Sequence, residues 1–374
     1  MSQEFDKKVV FLGTSSSVFV VRTAEELRVR GVDVQLIDPY EAAFSRITGK
    51  SKLAKALRVL YRAWFTRRAI RKLDREQTAV IHSLGLDLCW ISPLLKRHFK
   101  RVVGLAYGSD ILRRQKRLDR LLGRGMRYLD CVAATNTNVL DAILKDFPSV
   151  AGKERRVIRF GLTVFDVLEK VGTKSAEEAR AQLGFLADKP LVCLGYSASS
   201  GQRQHDLISF FEEQTNLLSH YQFIVPVQYG SPEVRGAVEQ DCQRANQKLG
   251  YEAFYPLSEF HDPETSAIMR LATTVLINHS VSDAFSGTVQ EVVYAGNLVF
   301  AGKHLPYENM PGFGTAITPY ADLTECVSAL QANMLSQWQA TARAELSETR
   351  RELRKTSSWD GVIDDWFTLI DEKN

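Results

Sequence analysis

The sequence lacks any run of about 18 apolar residues, the length that a membrane-spanning helix needs, and its cysteines are few. Five cysteines stand among 374 residues, and none forms a CxxC pair or joins a histidine cluster. This scatter argues against a zinc site and favours reduced thiols in a core. The sequence also has no Asp-x-Asp metal loop, no low-complexity tract and no internal repeat.

Charge is distributed unevenly along the chain. The formal net charge is +4, but residues 1–174 carry +16 and residues 175–374 carry −12. The first part is therefore suited to a negatively charged partner and the second is not. The polar N-terminus "MSQEFDKK" runs straight into an apolar stretch, which predicts a cytoplasmic chain without a secretory signal.

Short apolar runs alternate with helical patterns through most of the sequence. "KKVVFLG", "SSVFVVRTAEELRVRG" and "VDVQLIDPY" read as strand, helix and strand, and "LVCLGYSASSGQ" restarts the alternation later. The pattern predicts an α/β fold with two Rossmann-like domains of parallel strands. We place the domains at residues 1–170 and 175–355. An amphipathic helix at 356–374 follows, with Trp359, Val362, Ile363 and Trp366 at helical spacing.

Several motifs resemble those of the GT-B glycosyltransferases. "DAFSGTVQEVVYAGNLV" resembles their acid-x7-Glu signature, with Asp283 and Glu291 as the acids. "ARAQLGFLADKPLVCLGYS" is similar to the entry of the donor-binding domain in retaining members. "GLAYGSDIL" resembles the Gly-Ser-Asp loop of the acceptor domain. A narrower similarity, in "YGSDI" and "FIVPVQYG", is to bacterial transferases of 4-acetamido-4,6-dideoxygalactose that act on lipid-linked saccharides.

The resemblance implies two domains facing a cleft, a C-terminal helix crossing back to the first domain, and a nucleotide sugar held by the second. Glycine and serine loops before helices supply N–H groups that can bind a diphosphate. An acidic side chain inside a helix can accept hydrogen bonds from ribose hydroxyls. Retaining members carry an arginine and a lysine after the first donor-domain strand, where this chain has "GYSASSGQRQH". The predicted donor-binding residues are Gly195, Ser197, Arg203, His205, Tyr229, Ser286, Gly287, Thr288 and Glu291.

Three residues are candidates for catalysis. Asp110 could act as a base on an acceptor or cap the helix that follows. Asp283 could contact the sugar or cap its turn. His82 ends a strand, as His279 does, and could face substrate or be a structural histidine. On the acceptor side we place Thr14 and Ser15, which could equally shape the turn after the first strand.

The segment 50–75 carries ten Lys and Arg and one Asp. Leu53, Leu57, Leu60 and Trp64 fall on one helical stripe, a pattern typical of a helix on an anionic membrane surface. An ordinary solvated domain helix is the alternative. Nucleic acid is disfavoured because no nucleic-acid motif is present and the second half is acidic. The predicted membrane-binding residues are Arg58, Arg62, Trp64, Arg67, Arg68 and Arg71.

Together these features predict a metal-independent, hexosyltransferase-type glycosyltransferase, peripheral on the inner face of the cell membrane. It would use a UDP-, GDP- or TDP-linked sugar as co-substrate, without a further cofactor. Its acceptor would be a glycan or lipid-linked saccharide in bacterial surface or exopolysaccharide synthesis. Two alternatives stay open: a sugar-nucleotide 2-epimerase of the same fold, and a non-catalytic scaffold in polysaccharide assembly.

Overall fold

The computed structural model describes residues 7–49, 51–172, 174–331, 340–341 and 343–371. The chain divides into two compact units, one formed by Met1–Gly161 with Trp359–Asn374 and the other by Leu162–Ser358. Each unit contains a six-stranded sheet in which neighbouring strands run parallel. The predicted α/β architecture with two parallel-sheet domains is confirmed.

Strands and helices alternate along both units. The strands are β1 (Lys7–Leu12), β2 (Val32–Ile37), β3 (Thr78–His82), β4 (Arg101–Ala106), β5 (Cys131–Ala134), β6 (Glu154–Val157), β7 (Leu191–Leu194), β8 (Gln222–Pro226), β9 (Phe254–Leu257), β10 (Thr273–Asn278), β11 (Leu298–Gly302) and β12 (Ile317–Tyr320). The α-helices are α1 (Val18–Val29), α2 (Pro39–Arg46), α3 (Lys52–Ile70), α4 (Leu88–His98), α5 (Ser109–Leu112), α6 (Asp119–Met126), α7 (Thr137–Asp146), α8 (Val164–Val171), α9 (Ala176–Gln182), α10 (Gln204–Phe211), α11 (Thr215–His220), α12 (Pro232–Leu249), α13 (Pro263–Ala272), α14 (Gly287–Tyr294), α15 (Leu323–Gln331), α16 (Leu346–Ser357) and α17 (Trp359–Ile370).

The order of the strands reverses once in each sheet. The first sheet has the order β2-β1-β3-β4-β5-β6, so its reversal lies between β1 and β3. The second has the order β12-β11-β10-β7-β8-β9, so its reversal lies between β10 and β7. In open parallel sheets, ligands bind at the carboxyl ends of the strands that flank this reversal. The topology therefore directs attention to the loops after β1, β3, β7 and β10.

The C-terminal helix α17 belongs to the first unit, as predicted. Trp359, Val362, Ile363 and Trp366 are all buried in the core of the first sheet. The Trp366 indole Nε1 donates a hydrogen bond of 2.9 Å to the carbonyl of Arg159, which follows β6. The helical spacing of these apolar residues therefore identified the face that the helix buries. No helix among the described residues is long and apolar enough to cross a bilayer.

Candidate functional site

Two loops meet at the strand reversal of the second sheet. Gly195 follows β7 with φ +70°, and its N–H donates to the Ile277 carbonyl of β10 at 2.9 Å. A Cβ at Gly195 would lie 3.0 Å from Oε1 of Gln202, so a glycine is needed there. Gln202 in turn donates to the Ser280 hydroxyl at 2.8 Å. The loop that contains Ser197 is thus joined to the loop after β10.

Asp283 is the centre of a hydrogen-bond network between these loops. Its Oδ2 accepts from the Tyr196 hydroxyl and from the Asn278 amide, both at 2.8 Å, and from the Tyr307 hydroxyl. Its Oδ1 accepts from the Ala284 N–H at 2.7 Å. Burial, reinforced by the Asp283 charge, raises the pKa of Tyr196 and Tyr307 well above their ordinary value. Both phenols therefore stay protonated and donate, so Asp283 holds the loops together; direct contact with a sugar stays a prediction.

Glu291 lies inside α14 and is only 8% exposed, which excludes a solvated surface acid. Its Oε2 accepts a hydrogen bond of 2.9 Å from Nε of Arg270 on α13. The same guanidinium lies 3.5 Å from the Thr288 hydroxyl. The other carboxylate oxygen, Oε1, is turned toward the helix start, 4.0 Å from the place of a Cβ on Gly287. Arg270 thus fixes the position of the Glu291 carboxylate beside the first turn of α14.

The entries to α10 and α14 contain unusual backbone conformations. Phe285 has φ +71° and Arg203 has φ +55°, although neither residue is a glycine. Ser286 is the N-cap of α14 but makes no side-chain cap. Left-handed backbone at bulky residues costs free energy and concentrates at functional sites. Both helix starts predicted to hold a diphosphate therefore carry a local sign of function.

Two other predicted donor-binding residues, Tyr229 and His205, make no hydrogen bond to the network around Asp283 within the part of the chain that the structure describes. Tyr229 is exposed, packs edge-to-face on Phe260 at 4.8 Å, and accepts the Ala198 N–H at 2.7 Å through its carbonyl. This bond attaches the Tyr229 loop to the loop after β7. His205 is exposed and pairs through Nδ1 with Asp241 of α12 at 2.8 Å. Its contacts place His205 with α12 rather than with the network around Asp283.

Sequence reasoning missed several members of this site. Asn278 ends β10 and Tyr196 follows β7, so both stand where parallel strands place functional side chains; that rule could have found them. Arg270, on α13, and Tyr307, in the segment after β11, reach the site only through the tertiary fold. No pattern in the sequence marks these two.

The predicted acceptor side lies at the strand reversal of the first sheet. The Ser15 N–H donates to Asp38 at 2.6 Å, and the Ser15 hydroxyl lies 2.8 Å from both Asp38 and Glu41. Burial acts to raise the pKa of Asp38, but hydrogen bonds from Ser15, Glu41 and Tyr40 lower it overall. The hydroxyls of Thr14 and Ser16 bond each other at 2.8 Å. These contacts shape the turn, and contact with an acceptor stays a prediction.

His82 ends β3 beside the same turn but is only 3% exposed. Its Nδ1 lies 2.7 Å from the Tyr107 hydroxyl, and its ring packs on Phe11 at 4.4 Å and stacks on Trp366 at 6.2 Å. Burial lowers the pKa of His82 to about 3. An enclosed, neutral imidazole of this kind favours the structural alternative over the catalytic one.

Asp110 lies in α5 and accepts three backbone N–H groups. The donors are Leu84 at 2.7 Å, Gly108 at 2.8 Å and Tyr107 at 3.1 Å. Leu84 belongs to the loop after β3 and the other two to the loop after β4. The carboxylate therefore ties two adjacent loops together, and its role as a base stays a prediction.

Comparison with solved structures identifies the architecture. The chain is similar to a sucrose-phosphate synthase from Thermosynechococcus elongatus, with 15% identity, a TM-score of 0.75, and coverage of 97% of this chain and 98% of that one. An E. coli structure described as trehalose-6-phosphate bound with UDP-2-fluoro glucose has 11% identity and a TM-score of 0.72, with 98% and 100% covered. A trehalose-phosphate synthase from Burkholderia xenovorans, in complex with glucose-6-phosphate, has 12% identity and a TM-score of 0.71, with 97% and 99% covered.

The chain has the GT-B fold. No protein-family model matches the sequence, and no curated protein does so. At these identities the likeness establishes the GT-B architecture over nearly the whole chain, and the sequence resemblance to that fold is confirmed.

Two of the predicted membrane-binding arginines of helix α3 in this GT-B chain contact their own unit. Arg58 donates to the Gly49 carbonyl at 3.1 Å, and its guanidinium lies 4.6 Å from the ring centre of Phe44. Arg62 pairs with Asp87 at the start of α4. Both arginines therefore face their own unit, and the prediction that they face a membrane is wrong. The physical reason is that a guanidinium packs on an aromatic ring, as Arg58 does, and pairs with a carboxylate, as Arg62 does.

The apolar stripe of α3 instead faces outward. Leu53, Leu57, Leu60 and Trp64 are between 45% and 69% exposed. Arg67, Arg68 and Arg71 are also exposed, and the Arg68 guanidinium lies 5.8 Å from the Trp64 ring centre. We call the four apolar residues the α3 stripe.

Proposed function

We propose that this chain is a glycosyltransferase that moves a sugar from a UDP-, GDP- or TDP-linked donor to a glycan or lipid-linked acceptor. The observation that supports this function is the site at the strand reversal of the second sheet. There the glycine and serine turns before α10 and α14 follow the two strands that flank the crossover, β7 and β10, and α14 carries the Glu291 carboxylate, which Arg270 holds. Support comes from the sucrose-phosphate synthase of the same fold and from the E. coli structure bound with UDP-2-fluoro glucose.

In this proposal each group of the second unit has a defined task. Glu291 is held by Arg270 so that Oε1 accepts ribose hydroxyls of the donor. The N–H groups at the starts of α10 and α14 face the diphosphate and stabilise the charge that develops as it leaves. Asp283 fixes Tyr196 and Tyr307, which form the floor of the sugar site. These protein groups neutralise the diphosphate, so we propose that transfer is metal-independent.

Product analysis distinguishes the transferase from the two alternatives. The full chain is incubated with UDP-, GDP- and TDP-glucose, with and without bacterial lipid-linked saccharides. A transferase releases the nucleoside diphosphate only when a suitable acceptor is present. An epimerase changes the sugar without an acceptor, and a scaffold leaves every donor intact and unbound. Either of these last two results would overturn the proposal.

We further propose that the protein works at an anionic membrane surface, to which the α3 stripe binds. Its residues stand at positions i, i+4, i+7 and i+11, so they form one continuous apolar line on the helix. Exposed arginines continue the surface at the C-terminal end of the helix. Apolar side chains beside basic ones suit the boundary between acyl chains and anionic headgroups. In this proposal a lipid-linked acceptor reaches the first unit from that surface.

Replacing Leu57, Leu60 and Trp64 with serine should reduce binding to anionic vesicles about 10- to 100-fold, since three partly inserted apolar side chains are lost. Sedimentation with phosphatidylglycerol-containing vesicles measures this. The control replaces Val29 and Leu186 with serine. Both are exposed but lie off the stripe, so this variant should bind like the unmodified chain. Unchanged vesicle binding of the triple variant would contradict the proposal. A dimer in solution in which the α3 stripe forms the interface would contradict it as well.

A further inference from the structure

Three basic side chains follow the carboxyl ends of adjacent strands in the second sheet, and the charges of two of them act on the third, His279. Arg203 precedes α10, after β7; His279 follows β10; and His304 follows β11. These strands are neighbours in the order β11-β10-β7. Hydrogen bonds hold their loops in contact, because Val281 donates to the Gly201 carbonyl at 2.8 Å.

The hydrogen bonds fix the tautomer of both histidines. Tyr320 uses its one hydroxyl proton on the Asn278 carbonyl at 3.1 Å. His279 must therefore donate from Nδ1 to the Tyr320 oxygen, at 2.8 Å, which leaves Nε2 as its basic nitrogen. His304 lies with Nε2 2.8 Å from the Ser280 carbonyl, so that nitrogen donates and Nδ1 is basic. Each imidazole can thus gain one proton and one further donor.

The charges around His279 oppose its protonation while no anion is bound. Burial is the main cause that lowers the pKa of His279, and the Arg203 and His304 charges add to it. Asp206 acts in the other direction, but it is also paired with Arg203 at 2.6 Å. The phenol of Tyr320 stays neutral, since burial raises its pKa far above the ordinary value. An anion placed among these groups would reverse the balance and favour the imidazolium.

We propose that Arg203, His279 and His304 form the subsite for the donor diphosphate, in place of a permanent arginine and lysine pair. The inference rests on the proposed function and names how that site handles charge. Arg203 turns from Asp206 to the diphosphate, while His279 takes up a proton as the donor binds. Donor affinity then falls as the pH rises from about 6 to 8, because proton uptake becomes unfavourable.

Titration calorimetry at pH 6 and pH 8 tests this subsite. The probes are UDP-glucose, GDP-glucose and TDP-glucose, whose diphosphate is esterified at both ends and keeps two negative charges over this range. The best binder should lose about tenfold or more in affinity from pH 6 to pH 8, since each coupled proton contributes up to tenfold for each pH unit. The double variant His279→Gln, His304→Gln should bind weakly at both pH values and show no such loss.

Two further variants complete the design. His205→Gln removes the nearby histidine that pairs with Asp241, and it should keep the full pH dependence. Arg203→Gln should weaken binding at both pH values. Donor binding that is tight and equal at pH 6 and pH 8 would overturn the subsite and leave the proposed function standing. Absence of binding by all three sugars at pH 6 would overturn both.

Discussion

Replacing Glu291 with glutamine should weaken nucleotide binding about 10- to 100-fold. The amide keeps the shape of the side chain but removes the charge that strengthens hydrogen bonds from ribose hydroxyls. The same change leaves Arg270 without its partner at a site where both side chains are largely buried. We therefore expect the free energy of unfolding to fall as well, by about 3 kcal/mol. Calorimetry and thermal unfolding measure the two effects on the same preparation.

A double variant separates binding from stability. Replacing Arg270 and Glu291 together with glutamine removes both charges, so no unpaired ion stays buried and most of the lost stability should return. Nucleotide binding should stay weak, because the negative charge of Glu291, which accepts the ribose hydrogen bonds, is still absent. If binding recovers together with stability, Glu291 is a structural acid only. A single variant of Glu291 cannot separate the two effects, because it also breaks the ion pair with Arg270.

The buried histidine of the first sheet should make the protein sensitive to acid. His82 has a pKa of about 3 in the folded chain, against about 6.5 in an unfolded one. Between these values the unfolded state binds a proton that the folded state does not, so stability falls as the pH falls. The loss from this residue is about 1.4 kcal/mol for each pH unit, or about 5 kcal/mol from pH 6.5 to pH 3. Below pH 3 the contribution is constant.

Denaturant unfolding at several pH values measures this effect as a difference between variants. His82→Gln should show a slope that is flatter by about 1.4 kcal/mol per pH unit over that range, whatever the carboxylates contribute. His205→Gln, at an exposed position, should keep the slope of the unmodified chain. An identical slope in His82→Gln would show that His82 is charged in the folded state. Ring NMR of His82 gives the same answer if the variant folds poorly.

The fold was accessible from the sequence because local patterns decide it. Short apolar runs between amphipathic helices predicted two parallel sheets, and the spacing of Trp359 and Trp366 identified the buried face of α17. On α3 the periodicity grouped the apolar residues of the exposed stripe correctly. It did not show that Arg58 and Arg62, which the sequence analysis assigns to the membrane, face their own unit. Phe44 and Asp87 decided that by binding Arg58 and Arg62, and they are distant in sequence.

The candidate site was only partly accessible. The acid-x7-Glu spacing found Asp283 and Glu291, and strand ends indicated His279. The roles depended on partners that no spacing reveals, since Tyr307 binds Asp283 and Arg270 binds Glu291. His304 illustrates the limit well. It follows a strand, as His279 does, but its place near His279 depends on the strand order, which the sequence does not state.

The central claim is that the second unit binds a nucleotide through Glu291. Its most direct test is calorimetric titration of UDP, GDP and TDP into the full chain and into the double variant of Arg270 and Glu291. The account predicts that at least one of the three nucleotides binds the unmodified chain and that the double variant loses this binding while it keeps its unfolding transition. Absence of binding by all three to the unmodified chain would contradict the account and favour a non-catalytic protein that has kept the GT-B fold.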